Sequence, residues 1–520
     1  MKPTFYPLLT CAALGGAGSL HAELRLPAIL GDHMVLQQKQ ANPVWGWDTP
    51  GTTVTVTFAG QQKSEVASAG TGRWTVKLDP LPANAAPEVL TIKGTTERTL
   101  QDVLVGEVWI CSGQSNMQWD LRQADDGDLD ALTAKLPKMR LISVPQVGTQ
   151  ELQDDFQGAW TACTPESAPT FSAIGYYFGR QLHETLDVPV GLIDNAWGGS
   201  AAEAWIRRDV LDADARFAGL MADWKAREQA FPKDLADYET KLAEWKIKAA
   251  EAEAAKQPAP PRPGSPQNAM NGNSRPGNIF AGVLNPTVGY GIKGAIWYQG
   301  ESNAGRAHQY RTLFPLMISH WRELWQQGDF PFYWVQLADF MAEKPEPGES
   351  AWAELREAQT LTQSAIPNGG QAVIIDIGEA NDIHPRNKRE VGARLARLAL
   401  AQDYGMSALP ARSPEYKAMA VADGKVTLTF DHATGGLRAY DESVVKGFAI
   451  CGDDRKWVWG TATITGHRDQ IEVSSPAVAA PVAVRYAWAD NPVCNVVTAA
   501  GLPLTPFRTD DFPMVTAPQP

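Results

Sequence analysis

Cysteine and histidine are scarce in this chain, and that scarcity narrows its chemistry. The 520 residues include 5 cysteines and 8 histidines. Cys11, Cys111, Cys163, Cys451 and Cys494 are too dispersed to give the paired ligand spacing of a zinc site. Cys451 and Cys494 fall in one β-patterned region. They are either a disulfide formed in an oxidising compartment or two independent thiols. Beyond residue 22 no apolar run is long enough to span a bilayer. Positive charge is in deficit: 46 Lys and Arg against 59 Asp and Glu give a net charge of −13. That balance disfavours nucleic acid or an anionic membrane as the main partner. A small anion held by a local arginine stays compatible with it.

The first residues have the order of an export signal. Lys2 supplies a basic start, residues 8–20 are mostly apolar or small, and Leu20-His21-Ala22 allows cleavage after Ala22. The mature protein is expected in the periplasm or outside the cell. Residues 23–103 are β-patterned: Thr53-Val54-Thr55-Val56-Thr57 alternates polar and apolar faces, and Pro and Gly punctuate the turns. From 104 to 405, strand-like runs such as Pro189-Val190-Gly191-Leu192-Ile193, Ala295-Ile296-Trp297-Tyr298 and Ala372-Val373-Ile374-Ile375 alternate with helical periodicity at 310–325 and 388–402. Pro315 is expected near the first turn of the former helix. This alternation predicts an α/β fold, a parallel sheet with helices on both faces. An insertion of exposed helices and a Pro-rich stretch, about 209–277, interrupts it, as a lid or as a solvated excursion. Residues 406–520 return to β patterning, so β-sandwich-like domains flank the central unit at both ends.

Four polar clusters follow predicted strands, and ligands of open parallel sheets bind beyond the carboxyl ends of strands. Gly113-Gln114-Ser115-Asn116-Met117 places a serine between a glycine turn and a helix start, with its own N–H free to face an oxyanion. Asn195-Ala196-Trp197-Gly198-Gly199-Ser200 permits close backbone approach. Gln299-Gly300-Glu301-Ser302-Asn303 brings amide donors. Asp382-Ile383-His384-Pro385 brings an imidazole beside a carboxylate. Taken singly, each is compatible with an ordinary turn or helix cap. A serine nucleophile, however, needs a base, and few histidines compete for that role. His21 lies in the signal, His183 and His320 in helical patterns, His33, His432 and His467 in β regions, and His308 at a helix start. That leaves His384.

Together these motifs resemble the sialate O-acetylesterase family of SGNH-type serine esterases. Matching stretches run along nearly the whole mature chain, from His33-Met34-Val35-Leu36-Gln37 through Gly198-Gly199-Ser200 with Glu203 and Trp205, and Leu355-Arg356-Glu357-Ala358-Gln359, to Pro506-Phe507-Arg508-Thr509-Asp510. The resemblance implies an SGNH-hydrolase-like sheet, Ser115 as nucleophile and His384 as base. It implies the Ser115 and Gly199 N–H groups and the Asn303 side chain as oxyanion donors, with Gln299 competing. The third member is open: Asn381 stands where many such enzymes have Asp three residues before the His. Asp382 is the first choice, Glu301 and Glu379 are alternatives, and a backbone carbonyl would leave a dyad. No metal or organic cofactor is implied. The substrate is a small molecule or oligosaccharide bearing O-acetyl groups, and Arg306 and Arg356 are candidates for holding an acidic sugar. An acetylesterase of xylan or another plant polysaccharide is a second reading. A third is a non-catalytic carbohydrate-binding protein, with Trp45, Trp47, Trp74, Trp457 and Trp459 either as sugar platforms or as core.

Overall fold

The computed structural model describes residues 23–518, so the expected export signal lies outside the described residues. One 17-residue strand, Glu97–Gly113, organises the molecule. Its first half pairs antiparallel with Asn84–Lys93 of the N-terminal β region. Its second half, an apolar run buried on both faces, pairs in parallel with Val190–Asp194 on one side and Gly294–Tyr298 on the other. The expected boundary at 103/104 therefore falls inside a strand, and a continuous backbone ladder replaces a linker there.

Phe332–Val335 and Gly369–Ala372 extend the parallel sheet on one side, Leu136–Ser143 on the other, and Thr161–Cys163 closes that edge antiparallel. Side chains alternate across a strand, so Trp109 and Ser112 face opposite ways. Trp109 packs edge-on to Phe178 of the helix Ala173–Leu186, which pairs with Lys388–Asp403. Trp297, level with Ser112 in the ladder, stacks on Phe314 of Ala307–Trp325, which pairs with Ala351–Ala365. Helices thus cover both faces, as the alternation predicts. Pro315 differs from expectation. The helix begins at Ala307, so the proline sits well inside it. Its missing N–H forfeits one helical bond, which the burial of Phe314, Met317 and Ile318 offsets.

The run 372–375 also differs. The strand ends at Ala372, and Val373 and Ile375 leave the sheet to join the apolar core of the C-terminal region. That region, beyond the helix ending at Asp403, holds two four-stranded sheets whose inner residues include Val426, Leu428, Phe448, Ile450 and Tyr486. Cys451 and Cys494 are free thiols in it. Trp45 and Trp74 are core residues, Arg25 lies 3.8 Å over the Trp47 ring, and Arg485 lies 4.3 Å over Trp457. Of the five tryptophans that the sequence offers as platforms or core, only Trp459 is exposed.

The insertion carries a 37-residue helix, Ala218–Ala254, mostly exposed and with Pro232 inside it. The Pro-rich stretch folds back on it, the Trp245 indole donating to the Pro260 carbonyl at 2.7 Å. Glu228 joins Arg208 at the start to Arg275 at the end. The returning chain then braces the second glycine cluster: the Asn273 side chain donates to the Gly198 carbonyl, and the Asn273 carbonyl accepts from Ala201 N–H at 3.2 Å.

Arg356 corrects the sequence expectation. It is fully buried, and its guanidinium donates to the carbonyls of Leu337, Ala338, Ala489 and Asp490 at 2.6–2.9 Å. These donors tie the central sheet to the C-terminal region, and the full burial of the side chain closes it to a substrate carboxylate. Burial of the charge among carbonyl dipoles lowers its pKa to about 10. Arg356→Met should therefore cost roughly 2–5 kcal/mol of stability, because buried carbonyls lose their donors. Thermal unfolding checks this, and an unchanged Tm would refute the tether.

Candidate active site

The four clusters all emerge at the carboxyl edge of the sheet, because the strands before them are parallel and in close register. Gly113 pairs with Tyr298, and Cys111 with Asp194. Gly113 has φ +135, and a Cβ there would lie 2.2 Å from the Tyr298 carbonyl oxygen. Only glycine fits. The turn sets Ser115 at the start of the short helix Ser115–Gln118, where its N–H lies outside the helical ladder. Gln114 and Gln118 lock the neighbouring loops to this turn. Gln114 Oε1 accepts from the N–H groups of Gly300 and Ser302 at 3.3 and 3.4 Å, and Gln118 Oε1 accepts from Gly198 N–H at 2.7 Å.

His384 Nε2 lies 2.9 Å from Ser115 Oγ. The indole of Trp119 stacks on the imidazole with centroids 4.8 Å apart, fixing the ring plane. Asp382 Oδ1 accepts from the His384 backbone N–H at 2.9 Å and lies 3.3 Å from Nδ1. With Nδ1–H facing that carboxylate, Nε2 is left as an acceptor for the serine hydroxyl. Neither of the other two candidate carboxylates has an ion pair with the imidazole. Glu379 accepts from Arg386 N–H at 2.8 Å, and Glu301 from the Asn116 side chain at 2.7 Å. Burial, then the nearby Lys388 cation, holds the His384 pKa below its ordinary value, against the opposing pull of Asp382.

A second group of side chains forms the wall opposite. Asn303 Oδ1 accepts from Ala202 N–H at 3.0 Å and from Gln299 Nε2 at 2.7 Å, while its Nδ2 donates to Glu203 at 2.9 Å. Those acceptor contacts fix which end of the amide is which, and one Nδ2 hydrogen remains for a ligand. Gln299 cannot compete for that duty. Its Nε2 hydrogens go to Asn303 and, at 3.1 Å, to the Ser200 carbonyl, and its Oε1 accepts from Tyr310 at 2.9 Å. It orients Asn303 instead. Gly199 is left-handed at φ +71, and its N–H has no hydrogen-bond partner among the described residues. Arg306 lies on this wall with 38% of its side chain exposed, donating to Glu203 at 2.6 Å and to Gln309 at 2.9 Å.

Several members of the site are faint in the sequence. Glu203 was visible only as a motif residue, and Trp119 and Gln118 carried no signal beyond their nearness to Ser115. Lys388 reads in the sequence as the start of a helix. Its signal was a lysine on the inward face of an apolar-periodic segment, four residues after His384.

Comparison with known proteins places the chain in a family. Residues 282–401 match the family described as carbohydrate esterase, sialic acid-specific acetylesterase. The sialate O-acetylesterase of Mus musculus is 31% identical over 93% of this chain and 94% of its own length. The chain belongs to the sialate O-acetylesterase family. The Homo sapiens sialate O-acetylesterase is 29% identical over 93% of this chain and 92% of its own. A crystal structure of a carbohydrate acetylesterase from Xanthomonas citri superposes with a TM-score of 0.79 at 37% identity, covering 94% of this chain and all of that one. As a sialate O-acetylesterase family member the chain is a carboxylic ester hydrolase, which sets aside the non-catalytic reading. The fold leaves no room for a side chain at Gly113, so Gly113→Ala should cost at least about 2 kcal/mol, from left-handed backbone and clash together. Denaturant unfolding measures it, and wild-type stability would refute the turn's steric requirement.

Proposed function

We propose that this chain is an exported esterase that removes O-acetyl groups from sialic acids through an acyl-enzyme on Ser115. The observation that carries the mechanism is the 2.9 Å contact between Ser115 Oγ and His384 Nε2. Ser115 Oγ attacks the acetyl carbonyl as His384 Nε2 takes its proton. The oxyanion sits among Ser115 N–H, Gly199 N–H and the free Asn303 Nδ2 hydrogen. Collapse breaks the ester bond, and the His384 proton passes to the departing sugar oxygen. Water, deprotonated by His384, then attacks the acyl-enzyme, releasing acetate and restoring Ser115. Asp382 orients the ring and stabilises the imidazolium. The sialic acid assignment rests on family membership and on the names of the mouse and human relatives. Export rests on residues 2–22 alone.

A second reading has an observation in its favour. Arg356 is buried against backbone carbonyls, and the Arg306 charge is paired with Glu203, so neither arginine offers a carboxylate an unpaired, exposed cation. The Xanthomonas citri relative is described as a carbohydrate acetylesterase. A neutral acetylated polysaccharide such as xylan fits both facts.

Acetate release from acetylated sialic acids and from acetyl-xylan oligomers separates the two readings, and activity confined to xylan would sink the first. On either substrate Ser115→Ala should abolish turnover. Asn303→Ala should lower kcat by about 10²–10³-fold, and undiminished kcat would remove Asn303 from the oxyanion site. The base must be neutral to accept a proton. Because the His384 pKa is depressed, kcat/KM should hold as pH falls to the ordinary imidazole value of about 6.5 and decline only below it. An acid limb at or above that value would contradict the burial argument.

A further inference from the structure

Lys388 is a buried cation that the reaction does not use. It is wholly buried at the first position of the helix Lys388–Asp403, where the helix dipole also disfavours a cation. Its ammonium donates to Asn116 Oδ1 at 2.5 Å and lies 5.6 and 5.7 Å over the rings of Trp119 and Tyr298. Asn116 passes the contact on in two directions. Its Nδ2 donates to Glu301 at 2.7 Å and to the Ile383 carbonyl at 3.0 Å, one residue before His384. The chain Lys388–Asn116–Ile383 therefore clamps the residue after Ser115 to the residue before His384. Trp119 is sandwiched into the same arrangement, with the imidazole on its ring and the ammonium over it.

We propose that Lys388 is a positioning residue for this esterase: it sets the spacing of Ser115 and His384 through Asn116, and it holds a cation against the same Trp119 ring that carries the imidazole. This rests on the Ser115–His384 reading. Tyr298, a phenol held neutral by burial, faces Lys388, and several charged groups act on the pair. Lys388 feels Glu301, Asp382, Glu379 and Asp125, which favour its charge, against burial, which disfavours it and takes it down to about 7. His384 feels Lys388, which favours the neutral ring, and Asp382, which opposes it. Glu301 shares the pocket, pushed up by burial. Over the acid limb, below about pH 7, the lysine is the charged member. Removing it should raise the His384 pKa and move the limb towards higher pH.

The test is the pH profile of kcat/KM for Lys388→Met, nearly isosteric and uncharged, beside wild type and Ser115→Ala. The expected result is a kcat lower by roughly 10- to 100-fold, from misplacement of the pair, with the acid limb displaced to higher pH. A purely structural lysine would lower activity and leave the limb in place, and that result overturns the proposal. The limb's position does not depend on how much of the variant folds. Should none fold, NMR titration of the His384 ring in the wild-type protein decides. A midpoint below the ordinary value, with a second small step near pH 7 as Lys388 loses its proton, supports the proposal. A single midpoint at or above the ordinary value overturns it. Should Ser115→Ala itself stay active, the nucleophile assignment fails, which is a separate outcome from an unmoved limb.

Discussion

The parallel ladder between Glu97–Gly113 and its two neighbours is the constraint on which everything else depends. Its register sets Gly113 beside Tyr298 and Cys111 beside Asp194. Three loops therefore leave the sheet at one level, and their amides can reach each other. Gln114, Gln118, Gln299 and Asn303 do the rest, each spending its donors or acceptors on a neighbouring loop's backbone or side chain. In a buried setting such networks are stable only when satisfied. Ser115, His384, Gly199 N–H and one hydrogen of Asn303 are left for the proposed substrate.

Much of the fold was legible in the sequence. Alternation of strand and helix is a periodic signal, and a strand buried on both faces reads as a continuous apolar run. The boundaries were less legible, for a physical reason. Residues 97–113 form one ladder with partners in two regions, and composition changes along it while the backbone does not. Likewise Val373 and Ile375 look like strand because they are buried, yet the core that buries them belongs to the C-terminal region.

The pairing of Ser115 with His384 was legible because a serine nucleophile needs a base and few histidines compete for the role. The wall opposite was only partly so. A string of residues names possible donors without saying which are already spent, and Gln299 and Arg356 were spent. Arginine illustrates this best: a buried planar fork satisfied by four carbonyls looks, in sequence, the same as one waiting for a carboxylate. Lys388 was hidden for the opposite reason, since an inward-facing lysine at a helix start contradicts the burial and dipole preferences by which sequence is read.

The central claim is that Ser115 is the one activated hydroxyl of this esterase. Treatment with a fluorophosphonate, followed by intact mass measurement and peptide mapping, tests it most directly. The account predicts a single adduct per chain, on the peptide carrying Ser115, with loss of acetate release in proportion to labelling. An adduct on another residue that abolishes activity while Ser115 stays unmodified would contradict it.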